Sequence, residues 1–192
     1  MQLSGISSAR TASPGVLPSA RYTRTAVWFH WLLGIALLGQ IAFGFLLDDI
    51  APRATPARSG VVNLHKSIGI VLGMLIALRI VWRLSHAPPP WPAVMGEIER
   101  RAARTVHIAL YVCMAVMPLS GYIASNFSRF GITFFGFAWP PWGPPLPSVY
   151  AFFGLVHVTT AMVFTVLIAG HVLAALKHAF DRDGVFGRML NQ

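Results

Sequence analysis

The chain has 192 residues, of which 55% are apolar and only 11% charged, and its mean hydropathy is +0.62. Soluble domains carry about 25% charged residues, so a soluble enzyme, a disordered chain and a disulfide-stapled secreted module are excluded. The net charge of +9 rests on 15 basic and 6 acidic residues; with so little total charge it is no nucleic-acid footprint, and it points to Lys and Arg crowding one side of a membrane.

Residues 1–21 contain no apolar core long enough for a secretory signal and read as a weakly basic, disordered cytoplasmic tail. Residues 22–190 read as one membrane domain. A spanning helix needs about 20 mostly apolar residues, and four stretches qualify: 26–47, 61–84, 105–124 and 149–176. The last has 28 residues and a rise of about 42 Å, so it should protrude beyond the hydrocarbon. The connection 48–60 carries Pro52 and Pro56. The next, 85–104, opens on HAPPPWP, where His86 reads as a loop residue, and turns charged and helix-like at GEIERRAAR. The third, 125–148, is rich in proline and in interfacial aromatics, seven of them between Phe127 and Trp142; it reads as an interfacial anchor or as a lid over one end. A short polar tail follows Leu176. No internal repeat is visible. The fold expected is an all-α membrane protein, an antiparallel bundle of four transmembrane helices.

Eleven of the 15 Lys and Arg fall on the side of both termini; Arg53, Arg58, Lys66 and Arg129 fall on the other. The positive-inside rule then places both termini in the cytoplasm of a bacterial inner membrane.

Titratable residues inside a span mark function, and here they are histidines. His30 and His107 lie near the inner ends of the first and third spans, and His65 near the outer end of the second. The fourth carries His157 and, fourteen residues later, His171. That separation rises about 21 Å and returns to within about 40° of the same face. One helix thus presents two imidazoles on one stripe, one per leaflet. The pattern suits two b-type haems, each ligated by histidines from two facing helices. The outer pair is His65 and His157; the inner pair is His171 with either His30 or His107. A proton relay and a non-haem metal site compete with this reading. A metal transporter would add carboxylates or thiolates, yet all six acids lie outside the spans. Cys113, the one cysteine, excludes a disulfide framework and an iron–sulfur cluster within the chain. Without a Cys-x-x-Cys-His motif, any haem is held non-covalently.

His65, Gly69 and Gly73 share a face at spacing four, as a slot for a macrocycle or as a small-residue packing stripe. Arg79, fourteen residues after His65, faces the same interior at the depth of the inner pair. It suits a haem propionate or snorkels to lipid phosphate. Lys66 has the same two readings at the outer surface.

RYTRTAVWFHWL at 21–32, NLHKSIGIVLGMLIALRIVWRL at 63–84, HIALYVCMAVMPLSGYI at 107–123 and GHVLAALKH at 170–178 together resemble the bacterial cytochrome b561 family of four-helix dihaem membrane cytochromes. The resemblance covers roughly residues 22–190. It implies two haem b groups, the inner on His30 and His171 and the outer on His65 and His157. His107 then faces a quinone or supports the ligands. It also implies one-electron exchange between membrane quinone inside and a donor or acceptor at the periplasmic face. One type of member oxidises superoxide and reduces ubiquinone. The outer side, with four basic and two acidic residues, suits an anion such as superoxide and equally suits ordinary loop charge. At the inner end, His178 lies two turns beyond His171 and, with His107, Arg79 and Arg83, is a candidate to meet quinone. The other reading of His178 is a solvated residue just beyond the helix. Fold and ligand set do not dictate substrate. The alternative function is a cytochrome b subunit or docking module serving a separate dehydrogenase, reductase or periplasmic redox protein.

Overall fold

The computed structural model describes residues 21–190; the expected tail 1–21 lies outside them except for Arg21. The elements are α1 (Arg24–Phe45), a short α2 (Leu47–Ile50), α3 (Arg58–Ser85), α4 (Glu97–Asn126), β1 (Ile132–Phe134), β2 (Phe137–Trp139), α5 (Pro147–Asp181) and a 3-10 turn (Phe186–Met189). Four of them, α1, α3, α4 and α5, are long and apolar enough to cross a membrane. They form the expected four-helix bundle. One end of it holds the start of α1 and the end of α5 and is called here the terminal end. The other holds α2 and the β-hairpin and is called the hairpin end.

Each boundary has a local cause. Thr23 caps α1 by accepting a hydrogen bond from the Ala26 amide at 3.3 Å. At the hairpin end, Arg58 donates to the carbonyls of Leu47 and Ala51 at 2.8 Å each and pairs with Asp48 at 2.7 Å. It thereby satisfies backbone groups that a short helix leaves open. His86 caps α3 and stacks on Trp82, ring centres 3.7 Å apart, before the proline run. α4 begins eight residues earlier than the apolar stretch, because Glu99 accepts from the Gly96 amide at 3.1 Å and its charged first turns face water or lipid head groups. α5 has 35 residues, seven more than its apolar stretch. It ends where Arg182 turns left-handed at φ 53°.

Two segments depart from the expectation. The tail after Leu176 is not a loose polar end: α5 runs on to Asp181, and the 3-10 turn folds back over the terminal end. There Trp31 Nε1 donates to the Met189 carbonyl at 2.8 Å and Arg188 donates to the Pro90 carbonyl at 2.9 Å. The connection after α4 folds into an antiparallel hairpin, with Ile132 opposite Trp139. Its turn residues, Phe135 and Gly136, both have positive φ, 45° and 95°. Phenylalanine is rarely found there. α3 holds it: the Phe135 amide donates to Ser67 Oγ at 3.0 Å, the Thr133 amide to Asn63 Oδ1 at 3.2 Å, and Lys66 Nζ donates to the Gly131 carbonyl at 2.7 Å.

The dry core sits at mid-height. Leu33, Leu37 and Ile41 of α1, Leu72 and Ile76 of α3, Cys113 and Met114 of α4, and Phe164 of α5 form it. Elsewhere large apolar side chains such as Trp28, Leu78, Phe152 and Leu173 point outward, an arrangement stable in lipid and not in water. α1 packs on α3, α3 on α4, and α4 most closely on α5. By contrast, the backbone of α5 comes close to that of α1 or α3 at few positions, and side chains such as Phe164 bridge the gap.

Candidate cofactor sites

The histidines gather in two layers. At the hairpin end, His65 of α3 faces His157 of α5 with ring centres 6.3 Å apart. At the terminal end, His171 of α5 lies 6.0 Å from His30 of α1 and 5.4 Å from His107 of α4. Two imidazoles bound end-on to one metal at about 2 Å each have ring centres about 6 Å apart. Both layers therefore offer the separation that a bis-imidazole haem needs. The helix pairs concerned, α3 with α5 and α1 with α5, have backbones that approach closely at few positions. α4 and α5 are packed closely along their length. Ring distance by itself does not separate His30 from His107, whereas helix spacing favours His30.

At the hairpin end the orientation of the rings has identifiable causes. His157 Nδ1 donates to the Met117 carbonyl at 2.9 Å. This fixes the proton on Nδ1 and leaves Nε2 as a lone-pair donor, the arrangement found at metal-bound imidazoles. Gly121 makes room for it: a Cβ there would sit 2.9 Å from the ring. Gly44 does the same for His65, with 3.1 Å to Cε1. Gln40 of α1 donates to the His65 carbonyl at 2.7 Å. Two buried polar atoms beside this layer, His65 Nδ1 and Gln40 Oε1, have no hydrogen-bond partner. The fit to a haem rests on the two facing imidazoles and on the free Nε2 of His157.

The glycine stripe has a different role from the slot offered as one reading. Gly69 faces Gln40, and Gly73 lets α3 approach Pro118 of α4, where a Cβ would be 3.0 Å from the proline. These are packing positions, and the glycines against imidazoles are Gly44 and Gly121. Sequence reasoning missed both, because the helix partners of a glycine are not legible from its neighbours in the chain.

At the terminal end, His107 lies nearly parallel to Trp91, ring centres 6.4 Å apart and planes 11° apart. Arg79 places its guanidinium 5.8 Å from the Tyr111 ring. His178 is not a solvated residue beyond the helix. It lies within α5, only 14% of its side chain is exposed, and its Nδ1 donates to Asp183 at 2.5 Å. Burial would raise the Asp183 carboxyl, but hydrogen bonds from His178 and the Val185 amide outweigh it and hold the group below the usual carboxylate range. Lys66, at the other end, spends one donor on the hairpin carbonyl of Gly131.

Along α5, His157 and His171 are separated by fourteen residues, with Phe164 midway and 2% exposed. The two layers are thus about 21 Å apart on the helix axis, with the dry core between them. Among the described residues, no group of three or more His, Cys, Asp or Glu side chains is arranged to hold a metal ion.

Comparison with known proteins shows the family of the chain. The family profile described as prokaryotic cytochrome b561 matches residues 21–192. The chain is 34% identical over 175 residues to Cytochrome b561 homolog 2 of Escherichia coli (strain K12), covering 90% of this chain and 92% of that protein. It is 26% identical over 172 residues to Cytochrome b561 homolog 1 of the same organism, covering 88% and 97%. It is 27% identical over 179 residues to the Probable superoxide oxidase CybB of Yersinia pestis, covering 88% and 96%.

Proposed function

Because the chain belongs to the prokaryotic cytochrome b561 family, whose members are haem-b membrane electron-transfer proteins, we propose that it carries single electrons through the membrane between two haem b groups. His65 and His157 hold the haem at the hairpin end; His30 and His171 hold the one at the terminal end. The observation that supports this most is the two pairs of facing imidazoles, 6.3 and 6.0 Å apart. The haem irons supply the one-electron chemistry. The chain's own residues orient and insulate. Met117 fixes the tautomer of His157, Gly44 and Gly121 admit the rings, and the apolar layer around Phe164 excludes water between the sites.

The excess of Lys and Arg at the terminal end supports a cytoplasmic position for it, in a bacterial inner membrane. There membrane quinone, with ubiquinone as the proposed species, exchanges electrons. His178 holds its proton on Nδ1 against Asp183 and presents Nε2 for proton transfer; Arg79 and His107 line the same end. Arg79 there and Lys66 at the other end would pair with haem propionates. At the hairpin end the partner is a one-electron donor or acceptor, with superoxide the favoured substrate. That reading is supported by the relative named a probable superoxide oxidase and by the basic residues on that face.

The test uses purified full-length protein. Pyridine haemochrome analysis is expected to give two haem b per chain, falling to one in His157→Ala. A full two-haem yield in that variant overturns the ligand assignment. Stopped-flow mixing with superoxide is then expected to reduce the haems and ubiquinone to reoxidise them. Haems inert to both reagents overturn the substrate reading and favour a docking module for a separate redox protein.

A further inference from the structure

Outside the histidine layers, a concavity lies at the terminal end, beside the start of α4. It has a volume of about 450 Å³ and is lined by Trp91, Glu97, Arg100, Arg101 and Arg104. Positions 97, 100, 101 and 104 form one stripe of the helix, and Trp91 closes the other side. Three guanidinium groups share this cavity with one carboxylate. Glu97 is already engaged by Arg101 at 3.0 Å. Arg104 has no hydrogen-bond or ion-pair partner among the described residues, and Arg100 makes only a long 3.5 Å contact to the Pro92 carbonyl. Three guanidiniums against one carboxylate leave the lining with a surplus of positive charge, so the cavity suits an anion.

The surroundings say which anion. This stretch of α4 precedes the apolar span that begins near Thr105, so it lies at head-group level. Beside the arginines, Val94 and Ile98 are 62% and 84% exposed, as side chains in contact with lipid are. Trp91 is the residue type that settles at the membrane–water boundary. Basic pockets at the cytoplasmic ends of membrane helices take the head groups of anionic lipids.

We propose that Trp91, Arg100 and Arg104 form a binding site for the phosphate ester of an anionic phospholipid of the inner leaflet. The two guanidiniums pair with the phosphate oxygens, and the acyl chains run along Val94 and Ile98. Trp91 also lies against His107, so the bound lipid borders the terminal-end histidine layer.

The experiment is native mass spectrometry of the purified haem-loaded protein, delipidated and then offered phosphatidylglycerol or phosphatidylcholine. Phosphatidylglycerol should be retained preferentially. Each arginine near a charged surface is worth about fivefold in affinity, so Arg104→Gln should cut retention about fivefold. The double variant Arg100→Gln, Arg104→Gln should cut it on the order of 25-fold. Arg129→Gln, at the opposite end, should change nothing. The exposed Arg104 keeps the test usable if the double variant folds poorly. Equal retention of the two lipids, or unchanged retention in Arg104→Gln, overturns the proposal. Displacement of phosphatidylglycerol by millimolar inorganic phosphate overturns the lipid as the source and makes the site one for a free phosphate. Loss of haem absorbance in Arg104→Gln overturns it as well, since the guanidiniums would then serve the cofactor. Because lipid retention is read by mass, failure here leaves the haem assignment untouched.

Discussion

The Met117 carbonyl on α4 accepts the Nδ1 proton of His157 on α5 at 2.9 Å. Through this bond one packed helix sets the tautomer and the direction of a ring that faces a third helix. Gly121, one turn on from Met117, is the position from which that ring is most easily disturbed. Gly121→Ala places a methyl 2.9 Å from the imidazole, closer than real Cβ contacts allow. The expected outcome is loss or altered spin state of the hairpin-end haem with the terminal-end haem intact, read by visible absorption and electron paramagnetic resonance. Gly39→Ala, where nothing lies within 4 Å, serves as the control and should keep both.

The terminal-end layer holds three imidazoles for one proposed haem. His30→Ala should lower the haem count from two to one, whereas His107→Ala should leave two low-spin haems. Pyridine haemochrome stoichiometry decides between them. A one-haem His107→Ala protein alongside a two-haem His30→Ala protein would reverse the assignment.

Ser67 is fully buried, and its hydroxyl accepts from the Phe135 amide while lying 2.7 Å from the Asn63 carbonyl and 3.2 Å from that of Thr133. Ser67→Ala strands the Phe135 amide in a left-handed turn, at a cost of about 1–3 kcal/mol. Amide hydrogen exchange across residues 131–139 should accelerate, with the terminal-end haem spectrum unchanged. Exchange as slow as in the parent would show that Lys66 and Asn63 alone hold the hairpin.

Asp183 anchors His178 and the turn that folds back over the terminal end. Its carboxyl is held below the usual range, so its contribution to stability is present above the ordinary carboxylate value of about 3.9. It is lost as pH falls through the lower folded value. Exchange protection of residues 183–190 should therefore hold from neutral pH down to about 4 and fall only below it. Asp183→Asn should show weaker protection at neutral pH and slower haem reoxidation by ubiquinone, with both haems present. Normal quinone kinetics in this variant would remove His178 from proton delivery.

Much of this protein is legible in its residues taken in order. The four spans follow from apolar length, and the layering of histidines follows from fourteen-residue spacing on one helix. Helical rise is a local property, so depth in the bundle is readable from residue number. The extension of α4 to Glu97 was half visible in its charge pattern. The extension of α5 was hidden because LKHAFD mixes apolar and charged residues without a stop signal before Arg182. What lies across from what is another matter. That Gly121 faces His157, that Ser67 pins Phe135, that Gly73 meets Pro118, and that Asp183 returns to His178 all depend on how helices rotate and pack. Lateral packing joins positions far apart in the chain, 68 residues for Ser67 and Phe135 and 158 for Trp31 and Met189. No periodicity along the chain encodes such pairs, because they are selected by the shape of a neighbouring helix and not by the residues beside them in sequence.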